Sequence, residues 1–324
     1  MLCKTTLRMY ARVTTILLLI AACISLLSMH RPTTPEAPGA FLIVLGTLQD
    51  GGSPHAGCKR ACCRDFFDHP ASDRKVVSLG VYDRGSRQTY MFEATPDLPS
   101  QMKMLRTFAS DSVGEAPGGI FLTHAHVGHY AGLVHLGKEA MDARGVNVYA
   151  MPRMKNFLEN NGPWSQLVSR NNIVIQALQD GLPVKAGSVE VTPVLVPHRD
   201  EYSETVGYKI RGPRKTALFI PDIDKWEKWN KDIVQEISQV DYAFLDATFY
   251  DASELPGRKM EEIPHPFIVE SMAKFDTLPA RERSKIYFIH LNHTNPAILP
   301  DSPASLEIQR RGYLVARFGD IVEL

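Results

Sequence analysis

Apolar residues in this chain fall in short, nearly unbroken runs separated by Gly, Pro and polar clusters. The first is Phe41–Thr47, followed by Val76–Tyr82, Thr89–Ala94, Ile120–Leu122 and Val146–Ala150. Further runs cover Ile173–Leu178, Ser188–Val196, Thr205–Ile210, Thr216–Ile220, Tyr242–Leu245 and Lys285–Ile289, with short ones between Tyr313 and Leu324. Runs of this length, rich in β-branched residues, predict strands, and the continuity of the first predicts one buried on both faces. Helical spacing appears over Leu98–Phe108, near His135–Ala143, from Pro152, over Trp226–Ile237 with Asp224 spaced to cap it, over His265–Phe275 and over Pro303–Arg311. Asp83–Gln88, containing Gly85, reads as the turn between the second and third strands. Leu48–Cys63 has no apolar period and reads as a loop, and Asn160–Ser165 is a turn whose Trp164 is either a packing anchor or part of a lid. About a dozen strands alternate with five or six helices, without a break after Gly39, which predicts one α/β domain over residues 41–324.

The N-terminal 29 residues stand apart. Lys4, Arg8 and Arg12 precede an apolar run, Val13–Ala22, of signal-peptide length, so export is expected. Ile20–Cys23 resembles the lipobox of bacterial lipoproteins, with Cys23 as the acylated residue. The competing reading is a short uncleaved anchor over Val13–Met29. Either would tether the protein to a membrane from the exported side, through a linker over residues 30–40 that contains Pro32, Pro35 and Pro38. Acidic and basic residues balance at 36 each. No charge block suggests a nucleic-acid surface, and a small-molecule substrate is the expected partner.

The chemistry concentrates where strands end. Ile120–Leu122 runs straight into His124, His126 and His129, three imidazoles placed to converge on one metal ion just past a strand. Val194–Pro197 ends in His198, Ala217–Pro221 in Asp222 and Tyr287–Ile289 in His290, each a ligand type at a strand terminus. Cys58, Cys62 and Cys63 are an odd number for disulfides, whereas three thiolates and one imidazole make a closed tetrahedral zinc site.

With its HAHVGH segment, His198, Asp222 and His290, the chain resembles the metallo-β-lactamase fold superfamily from about Phe41 to Arg317. Within it, the likeness is to the branch containing coenzyme PQQ synthesis protein B and the phosphoribosyl cyclic phosphate phosphodiesterases. It is carried by Glu93–Leu98 (EATPDL), Val196–Tyr208, Ile220–Asp224 (IPDID) and His290–Pro296 (HLNHTNP). The resemblance implies a four-layer αββα sandwich with a one- or two-metal site at one edge. It implies that His124, His126 and His198 hold a first metal, that Asp222 bridges, and that His129 and His290 hold a second. It implies a structural zinc on Cys58, Cys62, Cys63 and His293, with His55 as the competing fourth ligand. Asp246, in DATFY, and His265, in IPHPF, resemble residues of the tRNase Z group, which implies roles in orienting a ligand histidine and in donating a proton. The superfamily pattern HxHxDH has Asp where this chain has Gly128, which implies a weakened second metal, a single metal or a different one.

Three functions follow as expectations. One is a metallohydrolase acting on a phosphodiester, lactone or similar ester, with one or two zinc ions in the active site. The second is an iron-dependent oxidative or PQQ-related biosynthetic enzyme, because His/Asp ligation also suits iron or manganese. The third is a metal-stabilised binding protein without turnover.

Overall fold

The computed structural model describes residues 39–109 and 114–324; the expected leader and most of the linker lie outside them. The chain from Pro38 onward is one compact unit. Its strands form two seven-stranded sheets. In the first, β1 (Ala40–Gly46) lies between β14 (Ile321–Glu323) and β2 (Ser78–Asp83), and β3 (Gln88–Phe92), β4 (Gly119–Phe121), β5 (Val146–Ala150) and β6 (Ile173–Ala177) follow outward. In the second, the order is β13 (Leu314–Val315), β12 (Ile286–Ile289), β11 (Tyr242–Asp246), β10 (Thr216–Ile220), β9 (Val206–Arg211), β8 (Val189–Leu195) and β7 (Val184–Ala186). Both sheets are mixed. β3 to β6 run parallel and β1 to β3 antiparallel; β10 to β13 run parallel and β7 to β10 antiparallel.

Three apolar layers explain the continuous runs. Leu42, Val44, Leu79 and Phe92 of the first sheet meet Val191, Tyr208, Phe219 and Phe244 of the second in a central core. The alternate residues Ile43, Leu45, Met91 and Ile120 face outward onto α2 (Leu98–Thr107), α4 (Pro152–Asn160) and α5 (Trp164–Ser169), through Leu98, Leu105, Met154, Leu158 and Leu167. Leu218, Ile220, Leu245 and Phe288 do the same on the other side, against α6 (Ile233–Ser238), α7 (Ile268–Phe275) and α9 (Pro303–Arg310). A strand covered on both faces has no polar side to alternate with. The result is the expected four-layer αββα sandwich.

Several expected elements differ. Ala61–Asp68 is a helix, α1, inside the segment read partly as loop; it buries only Cys63, so its sequence carries no apolar stripe. The helix expected near His135–Ala143 is instead a 3₁₀ segment, Ala131–Leu136, followed by turns. It stops at Gly137, which is extended. Trp226–Ile237 splits into a 3₁₀ turn, Trp226–Lys228, and α6. Asp232, not Asp224, caps α6 by accepting from Val234 N; Asp224 instead accepts from Lys225 N and Lys228 Nζ. Helix α7 begins at Ile268, where Glu270 accepts from Phe267 N, and this leaves His265 in the preceding loop. The edge strand β7 was too short to stand out. Trp164 is a packing anchor, with Tyr130 and Phe157 ring centroids 4.7 and 5.8 Å away. Among the described residues no helix is long and apolar enough to cross a membrane.

Candidate metal centre

The polar residues that follow each strand collect at one edge of the sandwich. The segment after β4 brings His124 and His126, then the single-turn helix α3 (Val127–Tyr130) turns His129 inward. From the second sheet come His198 after β8, Asp222 after β10, Asp246 as the last residue of β11 and His290 just past β12. Ligand atoms of His124, His126, His198 and Asp222 all lie within 4.8 Å of one another, and so do those of Asp50, His129, Asp222 and His290. Asp222 belongs to both groups and stands between them. A third group joins Asp222 and His290 to Asp246 and His265. Every active-site residue expected from the sequence is therefore brought to this edge.

Asp50 is the residue the sequence reading missed. It lies in the loop after β1, and its Oδ1 is 3.0 Å from His129 Nε2 and 3.2 Å from His290 Nε2. The strand-terminus pattern that pointed to His198, Asp222 and His290 also holds for β1. The Gly- and Cys-rich composition of the loop masked it.

A family model described as a beta-lactamase superfamily domain matches residues 88–291. The chain belongs to the beta-lactamase superfamily. Among its relatives there, it is 26% identical over 300 residues to coenzyme PQQ synthesis protein B of Ruegeria pomeroyi, with 86% of this chain and 98% of the relative covered. The same protein of Gluconobacter oxydans is 25% identical over 307 residues, covering 86% and 96%. In fold, the chain is similar to Zn(2+)-bound PqqB from Methylobacterium extorquens, with a TM-score of 0.72, 20% identity and coverage of 88% and 100%. It is also similar to a diphosphatase from the PhnP family, with a TM-score of 0.62, 22% identity and coverage of 88% and 97%.

The cluster is built so that one nitrogen of most imidazoles is engaged away from it. His124 Nδ1 lies 2.8 Å from Thr123 Oγ1, and His290 Nδ1 2.8 Å from Thr248 Oγ1. His126 Nε2 lies 3.2 Å from Glu201 Oε2, whereas His129 Nδ1 lies 3.2 Å from Glu93 Oε1 without hydrogen-bond geometry. Such outer partners fix ring orientation and tautomer. His290 is held at a φ of 65° and Glu93 at 81°, in the left-handed region that non-glycine residues rarely occupy.

The donor set fits a cation. His198 Nε2 is 3.2 Å from Asp222 Oδ2, yet neither His198 ring nitrogen has hydrogen-bond geometry to any partner, and both are buried. Asp222 Oδ1 lies 3.2 Å from His265 Nδ1, likewise without hydrogen-bond geometry. His198 Nε2 and His124 Nε2 both approach Asp222 Oδ2, at 3.2 and 3.4 Å, and a cation satisfies such a gathering of donor lone pairs. Glu93, Asp222 and Asp246 are almost fully buried and Asp50 is largely so, and that much negative charge needs compensation inside the site. Burial pushes the Asp222 carboxyl up, but the pull of His198, His265 and His290 outweighs it and holds it well below the usual range.

A separate cluster lies beside this edge. Cys58, Cys62, Cys63 and His293 place their ligand atoms within 4.8 Å of one another. His55 is outside that set: its ring stacks on His293 at 4.6 Å, and its backbone N–H donates to Cys63 Sγ. Burial and the two neighbouring sulfurs push the Cys62 thiol up to about 12. Three thiols this close ionise together only around a cation.

Proposed function

We propose that this chain is a metal-dependent hydrolase acting on a small ester-type substrate such as a phosphodiester or lactone. The observation that carries the reading is the His124, His126, His198 and Asp222 cluster lying directly against the Asp246–His265 pair. Zinc held there would lower the pKa of a bound water to about 7 and polarise the substrate's carbonyl or phosphoryl group. Iron or manganese would satisfy the same donors.

The chain's own residues then divide the remaining work. Asp222, shared between both ligand groups, orients the nucleophile. Asp246 takes backbone N–H bonds from Ile223 and Thr248 and a 2.9 Å bond from His265 Nδ1. This fixes the His265 ring and leaves its Nε2 to donate a proton to the leaving group. Arg199 and Tyr202, on the loop that carries Glu201 to His126, are exposed at the rim, where a substrate's anionic or apolar portion would rest. The cysteine cluster serves as a structural zinc site that holds the loop after β1.

The test is metal analysis of purified protein and His198→Ala, alongside a panel of phosphodiesters, lactones, β-lactams and thioesters. We expect the variant to lose an active-site ion and its turnover together. A metal-replete wild type that hydrolyses nothing in the panel would favour a binding role, and a fully active, fully loaded His198→Ala would defeat the assignment.

The relatives named coenzyme PQQ synthesis protein B support a second reading, an oxidative or PQQ-related biosynthetic enzyme. Full activity of iron-free, zinc-loaded protein without oxygen would exclude an oxidative reaction. Export and membrane tethering through the N-terminal 29 residues are part of the proposal. Cell fractionation of wild type and Cys23→Ser tests them, and lipid attachment predicts release of the variant from the membrane.

A further inference from the structure

We propose that Asp50 is a ligand to a second active-site metal, held with His129, His290 and Asp222, and that residue 128 is glycine because the Asp50 loop occupies the space a side chain there would fill. The first half rests on convergence. A single carboxylate oxygen, Asp50 Oδ1, lies 3.0 Å from His129 Nε2 and 3.2 Å from His290 Nε2, and Asp222 Oδ2 lies 3.9 Å from His129 Nε2. The opposite nitrogens of both rings already face Glu93 and Thr248. Both Nε2 atoms are therefore left to point at one place, and Asp50 supplies a hard oxygen there.

The second half rests on the backbone. A Cβ on Gly128 would stand 2.4 Å from Asp50 Cα, 2.7 Å from its Cβ and 3.0 Å from its Cγ. The obstacle is main chain, which does not swing aside as the end of a flexible side chain does. Nor is the loop free to retreat. Gln49 N donates to Leu291 O at 2.9 Å, Leu291 N donates to Thr47 O at 2.8 Å, and Leu48 bridges both Val76 and Leu291. These bonds clamp the residue before Asp50 to the residue after His290, so two of the four ligands are set by one piece of backbone pairing. An aspartate at 128 and the present path of Asp50 exclude one another. The carboxylate absent from HAHVGH thus enters the same side of the site from a segment 78 residues earlier.

The proposal shares its site with the hydrolase reading but is tested without turnover. Wild type, Asp50→Ala, the isosteric Asp50→Asn and Gly128→Ala are loaded with zinc, and bound ions are counted after removal of free metal. Cobalt substitution follows in parallel, because a thiolate-to-cobalt band reports the cysteine site separately and shows that each variant retains its fold there. We expect wild type to hold two ions beyond the cysteine site. Both Asp50 variants should lose one of them, with affinity for that ion falling by at least the roughly 10–100-fold that loss of an outer partner costs, while the cysteine band stays intact. Gly128→Ala removes no ligand atom, yet it should weaken the same ion by displacing the loop. The ligand assignment is overturned by a wild type with one ion beyond the cysteine site, or by Asp50→Asn and Asp50→Ala holding both ions at unchanged affinity. The steric half is overturned if Gly128→Ala binds metal as wild type does.

Discussion

Glu254 offers a sharp test of the electrostatics beside the cysteine cluster without touching a ligand. It is 7% exposed, its Oε1 accepts from Tyr250 N, and its Oε2 accepts from Thr294 Oγ1, the residue after His293. Burial, reinforced by repulsion from Asp251, pushes its carboxyl up to about 7 against those two hydrogen bonds, from the usual 4.5. A raised carboxyl binds its proton more tightly folded than unfolded, so stability is fully present below 4.5 and declines as pH rises to 7. At 1.36 kcal/mol per pH unit, that window amounts to about 3 kcal/mol at most. Glu254→Gln removes the titration while keeping the shape. The amide oxygen still accepts from Tyr250, and the amide nitrogen donates to Thr294 Oγ1 in place of the original bond. We expect the variant to match wild type near pH 4.5 and to exceed it by about 2–3 kcal/mol at pH 8. For a unit spanning residues 38–324, at roughly 2.1 cal/mol/K per residue, this is about 3–5 °C in Tm. Thermal and urea unfolding of metal-loaded protein across this pH range measures it. A difference between the two proteins that does not change with pH would refute the reasoning.

Asp83 is fully buried and accepts from Gly85 N, Ser86 Oγ, Ser188 N and Ser188 Oγ, which ties the β2–β3 turn of one sheet to the β7–β8 turn of the other. Asp83→Ala should cost about 3 kcal/mol in urea unfolding, and a loss under ~1 kcal/mol would mean these bonds do not join the sheets. Burial raises the Asp83 carboxyl, but its four donors hold it below 3.8, so its contribution should fade as pH falls through that range. Cys63→Ser should release one metal equivalent and speed amide exchange over residues 49–60; unchanged exchange would show that the loop holds itself. Trp164→Ala should lower stability by about 3 kcal/mol through lost packing on Tyr130 and Phe157. A raised KM with stability unchanged would restore the lid reading.

What the sequence by itself determined was local. Buried strands wrote themselves as unbroken apolar runs, because each is covered on both faces. His124, His126 and His129 were legible as ligands within six residues of chain, but their expected convergence on one ion was not met: His129 falls in the group with Asp50 and His290. His198, Asp222 and His290 were legible one by one as polar residues ending apolar runs, and the resemblance named their company. The helix boundaries were less legible: the segment expected as a helix near His135–Ala143 is a 3₁₀ turn ending at Gly137, and Asp232 rather than Asp224 caps α6.

Only the tertiary structure decided which partners complete each cluster. His293 rather than His55 joins the cysteines because of how the chain packs after β12, while His55 merely stacks on it. Gly128 read alone is a missing carboxylate. Folded, it is the clearance through which Asp50 passes, on a loop pinned to the backbone beside His290. Periodicity reports what a residue's own element does. It carries no record of a contact made by main chain across 78 positions, which is fixed only when two sheets close on one another.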